Sequence, residues 1–433
     1  MKFYEIDNAL QEAITAADKP VRLKIEIEMD GHFQSVFEQD IIEANFYSIK
    51  EAAGGVSSRG NVLLDNSCGL FSNCGGTGAG LRVKVSFSIG EGLPFFNRFI
   101  FYVDDKGIQD IRGNGRKKYI QLGLRDLSFK LRKSDNARDW TSPAVFTYSV
   151  VCDKTQAEKS LVHGIAQRAG LEVSDIDCST IPVTLTFVQL KRNIWSELSS
   201  LAAAYRCHLE CAVEKPLVFV NSPYQSEQLA DNEFSHTFNG GDIFYLRKTA
   251  RADYYRNTIR LKINLPVSLE KQQIWQYNDT LGYFIFIDEK EYDVIFVDEL
   301  ETIGDFIFGR PIILDLNRSC FVRDDGQISN YGTVALNVTG SYFSEFDVGG
   351  TPLGVSVPQY EDWVRRELAE RIKNNREFTV KTHKAIFNSR VGASVKINLK
   401  NEELAGTINA LSFRYKCDRA FVSSFRITEN RED

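Results

Sequence analysis

The stretch VRLKIEIEM, residues 21–29, decides the fold class. Val21, Leu23, Ile25, Ile27 and Met29 alternate strictly with Arg22, Lys24, Glu26 and Glu28. A period of two places one set of side chains on each face of a strand, so this segment predicts a half-buried β-strand. Asp30-Gly31 follows and predicts a hairpin turn into HFQSVF. One face packs on a core and the other meets water or a neighbour.

Outward from this hairpin, the same reading gives strands in IIEANFYSI (41–49), NVLLDN (61–66), LRVKVSFSI (81–89), RFIFYVDD (98–105) and KYIQLGLRDL (118–127). A glycine-dense stretch at 69–80 reads as a long loop. Residues 6–17 predict one short amphipathic helix carrying Leu10, Ile14 and Ala17, broken by Asp18-Lys19-Pro20. Nothing else before residue 150 reads as helical, so an antiparallel β-domain is expected there.

The pattern changes at Thr155. Thr155 and Glu158 fit a capping box for a helix bearing Leu161, Val162, Ile165 and Ala169 and ending at Gly170. VTLTFV (183–188) predicts a strand. Asn193 caps a second helix with Ile194, Leu198, Leu201 and Tyr205 on its apolar face, and RCHLECAV and LVFV add two strands. Beyond it, NTIRLKINL (257–265) echoes residues 21–27 and hints at a duplicated domain. Residues 266–355 are rich in aromatic segments such as GYFIFID and predict an inserted β-domain. Pro358 opens a helix with Tyr360, Val364, Leu368 and Ile372 as its stripe. EFTVKTHKAIF, ASVKINLK, GTINALSFRY and AFVSSFRIT then return to strands.

Composition sets outer bounds. A chain of 433 residues implies two to four domains, and 43% hydrophobic with 25% charged residues is globular. The excess of 17 Tyr and 30 Phe over 10 Pro and 2 Met favours strands and flat interfaces. A net charge of −6 offers no general basic field for nucleic acid or anionic lipid. No apolar run reaches membrane-spanning length, and the N-terminus lacks the pattern of an export signal, so synthesis in a cytoplasm is expected.

Motifs that could carry chemistry have simpler explanations. Cys207-His208-Leu209-Glu210-Cys211 on a strand puts the cysteines on one face and His208 on the other. No second pair completes a zinc site, so buried thiols are expected. Cys68 and Cys74 flank the glycine-rich loop and could pair only in an oxidising medium. The remaining cysteines, Cys152, Cys178, Cys320 and Cys417, show no ligand spacing. Asp104-Asp105 and Asp324-Asp325 sit in DDKG and DDGQ contexts and predict turns. His32, His163, His208, His236 and His383 are scattered, and GGTGAG (75–80) leads into a strand rather than a helix. Arg112, Arg116, Lys117 and Lys118 form one basic cluster, read as a hairpin tip or a contact to an acidic neighbour. No catalytic, cofactor-binding or metal-ligating residue is nominated, and no enzyme is expected.

The ordered set of elements resembles the baseplate and tail-tip hub family of tailed phages, including late-control-type tail proteins. The resemblance rests on VRLKIEIEMDG, IIEANFYSIKEA and RGNVLLDNSCGLFS leading into LRVKVSF. It rests further on SLVHGIAQRAGLEVS, on NIWSELSSLAAAYRCHLECAVEKPLVFV, and on the 358–373 helix followed by a strand after Val391-Gly392. It implies a mainly β, multidomain chain with two related antiparallel β-barrel-like, tail-tube-like domains, 1–148 and 223–265 plus 356–433. A small α+β module, 149–222, and the inserted β-domain, 266–355, complete it.

The resemblance implies a homotrimeric virion protein, made in the bacterial host cytoplasm. It would join the tail tube to a tip or spike, with tape-measure, spike and other baseplate proteins as partners. DNA would pass through without specific binding, and no cofactor is implied. Residues Arg22, Lys24, Glu26, Glu28, Arg260 and Lys262 are candidates for polar contacts between subunits, or for plain solvent exposure. The alternatives are a receptor- or carbohydrate-binding tail protein that uses the 266–355 aromatics, and a tail-associated hydrolase. No paired-carboxylate constellation supports the hydrolase.

Overall fold

The alternation at 21–29 has the predicted consequence: Val21, Leu23, Ile25 and Ile27 are all buried. In this computed structural model the described residues are 8–15, 20–51, 54–67, 69, 78–112, 118–134, 145–189, 193–221, 236–250, 255–269, 276–278, 282–287, 290–296, 301–303, 306–308, 312–325, 329, 333–340, 359–373, 376–417 and 421–429. Side chains of 261–320 and residues 70–77 lie outside that description, as do Ala17, Cys68, Cys74, Arg116, Lys117, Gly349, Gly350 and Pro358.

Helix α1 (Asn8–Thr15) precedes β1 (Val21–Met29), β2 (His32–Val36), β3 (Ile41–Lys50) and β4 (Gly55–Asp65). Next come β5 (Arg82–Ile89), β6 (Phe96–Arg112) and β7 (Lys118–Arg125). Asp30 and Gly31 both take positive φ, 52° and 78°, and bring Met29 opposite His32, as an Asp-Gly hairpin requires. Strand β6 corrects one expectation. Asp104-Asp105 does not end a strand; the register shifts between Val103 and Ile108, with Gly107 at φ 65°. A bulge of this kind absorbs extra residues while the strand continues.

A helix was also missed before residue 150. Asp126 accepts from the Ser128 N–H and caps α2 (Leu127–Lys133), whose Leu131 is buried. The small module follows, with β8 (Val145–Cys152), α3 (Leu161–Gln167), β9 (Ile176–Cys178) and β10 (Ile181–Gln189). It ends with α4 (Ile194–Ala204), β11 (Cys207–Glu210) and β12 (Leu217–Asn221). Asn193 caps α4 through Ser196 N–H, as expected. The expected Thr155 capping box is corrected: Ser160 caps α3, while Thr155 bonds locally to Asp153. Leu161, Val162, Ile165, Trp195, Leu198, Leu201, Leu209 and Phe219 belong to a second hydrophobic core that serves this module.

The later strands are β13 (His236–Asn239), β14 (Tyr245–Ala250), β15 (Thr258–Leu269), β16 (Gln276–Asn278), β17 (Gly282–Ile287) and β18 (Lys290–Phe296). Strands β19 (Glu301–Ile303), β20 (Phe306–Phe308), β21 (Ile312–Arg323) and β22 (Ala335–Gly340) precede helix α5 (Gln359–Lys373). β15 lies between β21 and β22, so the boundary expected at 265/266 cuts through one strand. The echo of VRLKIEI in 259–265 therefore sits in a different sheet from β1. Helix α5 packs on β15 and β21 through a stripe in which Val364 and Leu368 are buried.

The chain ends with β23 (Arg376–Thr382), β24 (Ser394–Asn398), β25 (Glu403–Lys416) and β26 (Phe421–Glu429). EFTVKTHKAIF is thus a strand only as far as Thr382. Residues 385–389 form a buried loop that carries Phe387 into the core.

The main sheet runs β14-β23-β26-β25-β3-β4-β7-β6-β5-β1-β2, with every neighbouring pair antiparallel. The first and last strand regions meet where β25 pairs β3, and Phe413 lies opposite Phe46. Phe87 stacks on Phe387 at 5.4 Å and meets Phe413 edge-on at 5.9 Å and Phe421 at 5.8 Å. Phe46 stacks on Phe99 and Phe101 at 5.7 and 5.9 Å. Buried Arg98 lies 4.3 Å over the Phe99 ring and donates to the Ser389 carbonyl at 2.8 Å. One continuous core therefore joins residues from both ends of the chain. Phe413→Ala should lower unfolding free energy by about 3–5 kcal/mol, the usual cost of emptying a buried phenylalanine site. Urea unfolding followed at both ends of the chain should shift as one transition; loss confined to the last strands would refute the shared core.

Candidate functional site

Among the described residues, the main sheet path ends at β2 on one side and β14 on the other. Both end strands are largely exposed, and each has aromatic rings beside it. Phe37 is 65% exposed and Phe33 40%; Phe244 is 52% exposed and Tyr245 38%. Arg82 covers Phe33 at 5.6 Å, Lys381 covers Tyr245 at 5.0 Å, and His383 stacks on Phe244 at 4.4 Å. An open edge offers unpaired N–H and C=O groups, and exposed aromatics beside it add burial to any strand that docks there.

The charged row of β1 behaves differently. Arg22 pairs with Glu38 at 3.4 Å, Lys24 with Glu26 at 2.7 Å, Arg82 with Glu28 at 3.6 Å and Lys84 with Glu26 at 3.8 Å. These partly exposed pairs form within one subunit and contribute about 0–1 kcal/mol each. Arg260 is exposed, and the Lys262 side chain lies outside the described residues. Of the basic cluster, Arg112 and Lys118 face each other across the β6–β7 pairing.

Where the module meets the main sheet, the contacts are buried and polar. β11 pairs in parallel with the start of β4, Leu209 opposite Gly55. A Cβ at Gly55 would stand 2.7 Å from the Trp195 ring, so only glycine lets α4 approach this closely. Trp195 Nε1 donates to Glu51 at 3.1 Å, and Arg132 binds the other Glu51 oxygen. Burial alone would raise Glu51, but hydrogen bonds from Arg132, Ser57 and Trp195 outweigh it and hold the carboxyl below its ordinary range. On the other flank, buried Glu210 contacts His208 Nε2 at 3.0 Å and is also bound by Arg390 from the last strand region. Burial, reinforced by the Arg390 charge, pushes His208 well down, so the imidazole is neutral at pH 7.

Asp126 fastens the same joint. Its carboxyl accepts from the Ser128 N–H and hydroxyl and from the Ser58 N–H of β4. Burial nonetheless pushes it up to about 7, against those hydrogen bonds.

The motif candidates fall as follows. Cys207 and His208 are buried and Cys211 is half-buried, and His208 turns to Glu210 rather than to either thiol. Asp104 caps Lys106 N–H within the bulge, and Asp105 pairs with Lys133. His32 and His383 are exposed. His236 packs edge-on against Phe238 at 4.6 Å, and burial pushes it down to about 4. The aromatics of 282–316 that a carbohydrate site would need lie outside the described side chains. One grouping escaped sequence reasoning: Cys152, His163 and Cys178 come together in the module core. Their spacing matches no ligand pattern, so only the fold reveals it.

No family model and no curated protein matches this sequence. Solved structures do. A tail protein from Neisseria meningitidis MC58 superposes with TM-score 0.55 at 10% identity, covering 94% of this chain and 97% of that one. The 43 kDa tail protein of prophage MuSo2 from Shewanella oneidensis superposes with TM-score 0.55 at 12% identity, covering 94% and 98%. The chain has the fold of phage tail proteins. The likeness spans nearly both whole chains, so the tail-protein fold includes the module and the later β-sheet as well as the main sheet.

Two substitutions test the joint of this tail-protein fold. Gly55→Ala should cost about 1–3 kcal/mol by overpacking against Trp195; an unchanged urea midpoint would contradict the close approach. The second reads pH. Asp126 titrates near 7 when folded against an ordinary 3.8, so the folded state holds an extra proton between those values. Its contribution is complete below about pH 4 and falls as pH rises to about 7. The stability of wild type minus that of Asp126→Asn should therefore drop across this window and then level off. A difference flat from pH 4 to 8 would refute it.

Proposed function

We propose that this chain is a structural, non-enzymatic subunit of a phage or phage-like tail, a hub that closes into a ring of three. The observation that carries this reading is a tail-protein fold over 94% of the chain, with a main sheet whose path ends, among the described residues, at β2 and β14. On this reading β2 of one copy docks against β14 of the next. A head-to-tail contact of this kind closes into a ring when the rotation between copies is one third of a turn, and closure removes the exposed edges. Phe33 and Phe37 then bury against the neighbour's Phe244 and Tyr245.

The ring would seat on the tail tube at one face and receive a tip or spike at the other, within the virion. Tape-measure and other baseplate proteins are its expected neighbours. The two strand-rich regions, residues 1–148 and the segments 223–257 with 356–433, act as paired ring units on this proposal. The 149–222 module wedges against them, and the insertion now begins at β15. The net charge of −6 suits a passage that must not hold DNA.

Light scattering on the purified chain should give three times its 49.1 kDa mass. Phe37→Asp and Phe244→Asp, both at exposed positions, should return a monomer with an unchanged circular dichroism spectrum. A wild-type chain that stays monomeric at high concentration contradicts the ring, as does a trimer indifferent to both substitutions.

A further inference from the structure

Three side chains from three separate elements meet inside the module. Cys152 ends β8, His163 lies in α3 and Cys178 ends β9. One ligand atom from each lies within 4.8 Å of the other two, and all three residues are at most 2% exposed. The module core that holds them also contains Val151, Leu161, Val162, Leu217 and Phe219. We propose that Cys152, His163 and Cys178 bind one zinc ion.

The chemistry of the set supports that choice. Two sulfurs and one imidazole suit a borderline-soft, tetrahedral cation, and oxygen-seeking magnesium or calcium would find no carboxylate here. Zn–S and Zn–N bonds of about 2.3 and 2.1 Å set ligands about 3.4–3.8 Å apart in a tetrahedron, a spacing that fits within the observed grouping. The fourth position needs an oxygen donor, and Ser160 Oγ is at hand, 2.7 Å from His163 Nδ1 and hydrogen-bonded to the Cys152 thiol. Ser160 is itself buried and caps α3, so its position is fixed by the helix start.

The free site is already arranged for a metal. The three ligands project from β8, α3 and β9, so the fold itself holds them together. Binding releases the proton of each thiol to solvent, and two thiolates neutralise the 2+ charge of the ion in the apolar core. The structural return is local. β9 is three residues long and is paired only with β12 among the described strands. A zinc ion would tie it to β8 and α3, closing one end of the module core. This inference does not depend on ring formation.

The test uses the full chain, reduced and stripped by a chelator, titrated with cobalt(II) chloride. One equivalent of cobalt should bind. It should show thiolate-to-metal charge transfer in the near ultraviolet and the strong visible bands of a tetrahedral site, and zinc should bleach both. Cys152→Ser and Cys178→Ser, each checked for a wild-type circular dichroism spectrum, should lose the charge-transfer band, while Cys417→Ser at an exposed position should keep it. Absence of a stoichiometric band in the reduced wild type overturns the proposal without recourse to any variant. So does a band that survives Cys178→Ser, or a Cys152–Cys178 disulfide in chain purified with zinc present.

Discussion

The pairing of β3 with β25, which sets Phe46 opposite Phe413, is the constraint on which the rest depends. These strands are separated by most of the chain, yet they pair from Ala410 opposite Ile49 to Lys416 opposite Glu43. Around them Phe87, Phe99, Phe101, Phe387 and Phe421 fill one apolar volume. Truncating any one of these rings costs roughly 3–5 kcal/mol, comparable to much of the net stability of a typical domain. Closing so long a loop is slow and entropically costly, and an aromatic cluster at the closure point offsets that cost locally.

Once the seam is made, the main sheet path ends, among the described residues, at β2 and β14. The exposed rings beside β2 and β14 then cease to be incidental, because an open edge invites association. The module is attached by a different logic. Trp195 packs closely on Gly55, and the Glu51–Arg132 pair and Glu210 shared between His208 and Arg390 are specific polar contacts in partly or fully buried settings. Breaking one partner of such a buried pair strands a charge, so the joint resists sliding more than it adds net stability.

Much of the fold was legible because strand periodicity is local. Residues 21–29, the Asp30-Gly31 turn and the Asn193 cap all read correctly from neighbours a few positions away. Failures came where tertiary contacts override local preference. Helix α2 is only Leu127–Lys133, and its stabilising cap depends on Asp126 also gripping β4 through Ser58. Residues 383–387 read as the end of a strand by composition but lie in a loop that brings Phe387 onto Phe87 and Phe96. Residues 258–265 look like an exposed β1, yet they include a run that pairs with residues 77 positions later, Thr258 opposite Ala335 through Ile263 opposite Gly340. The Cys152–His163–Cys178 grouping was invisible for the same reason: each ligand comes from a different element, with no shared motif.

The most direct measurement of the central claim is amide hydrogen exchange resolved along β3 and β25 under native conditions. Both strands should open only with the whole main sheet, with equal opening free energies and equal denaturant dependence. Exchange of β25 and β26 through a separate, cheaper opening while β3 and β4 stay protected would contradict a single sheet built on the Phe46–Phe413 seam.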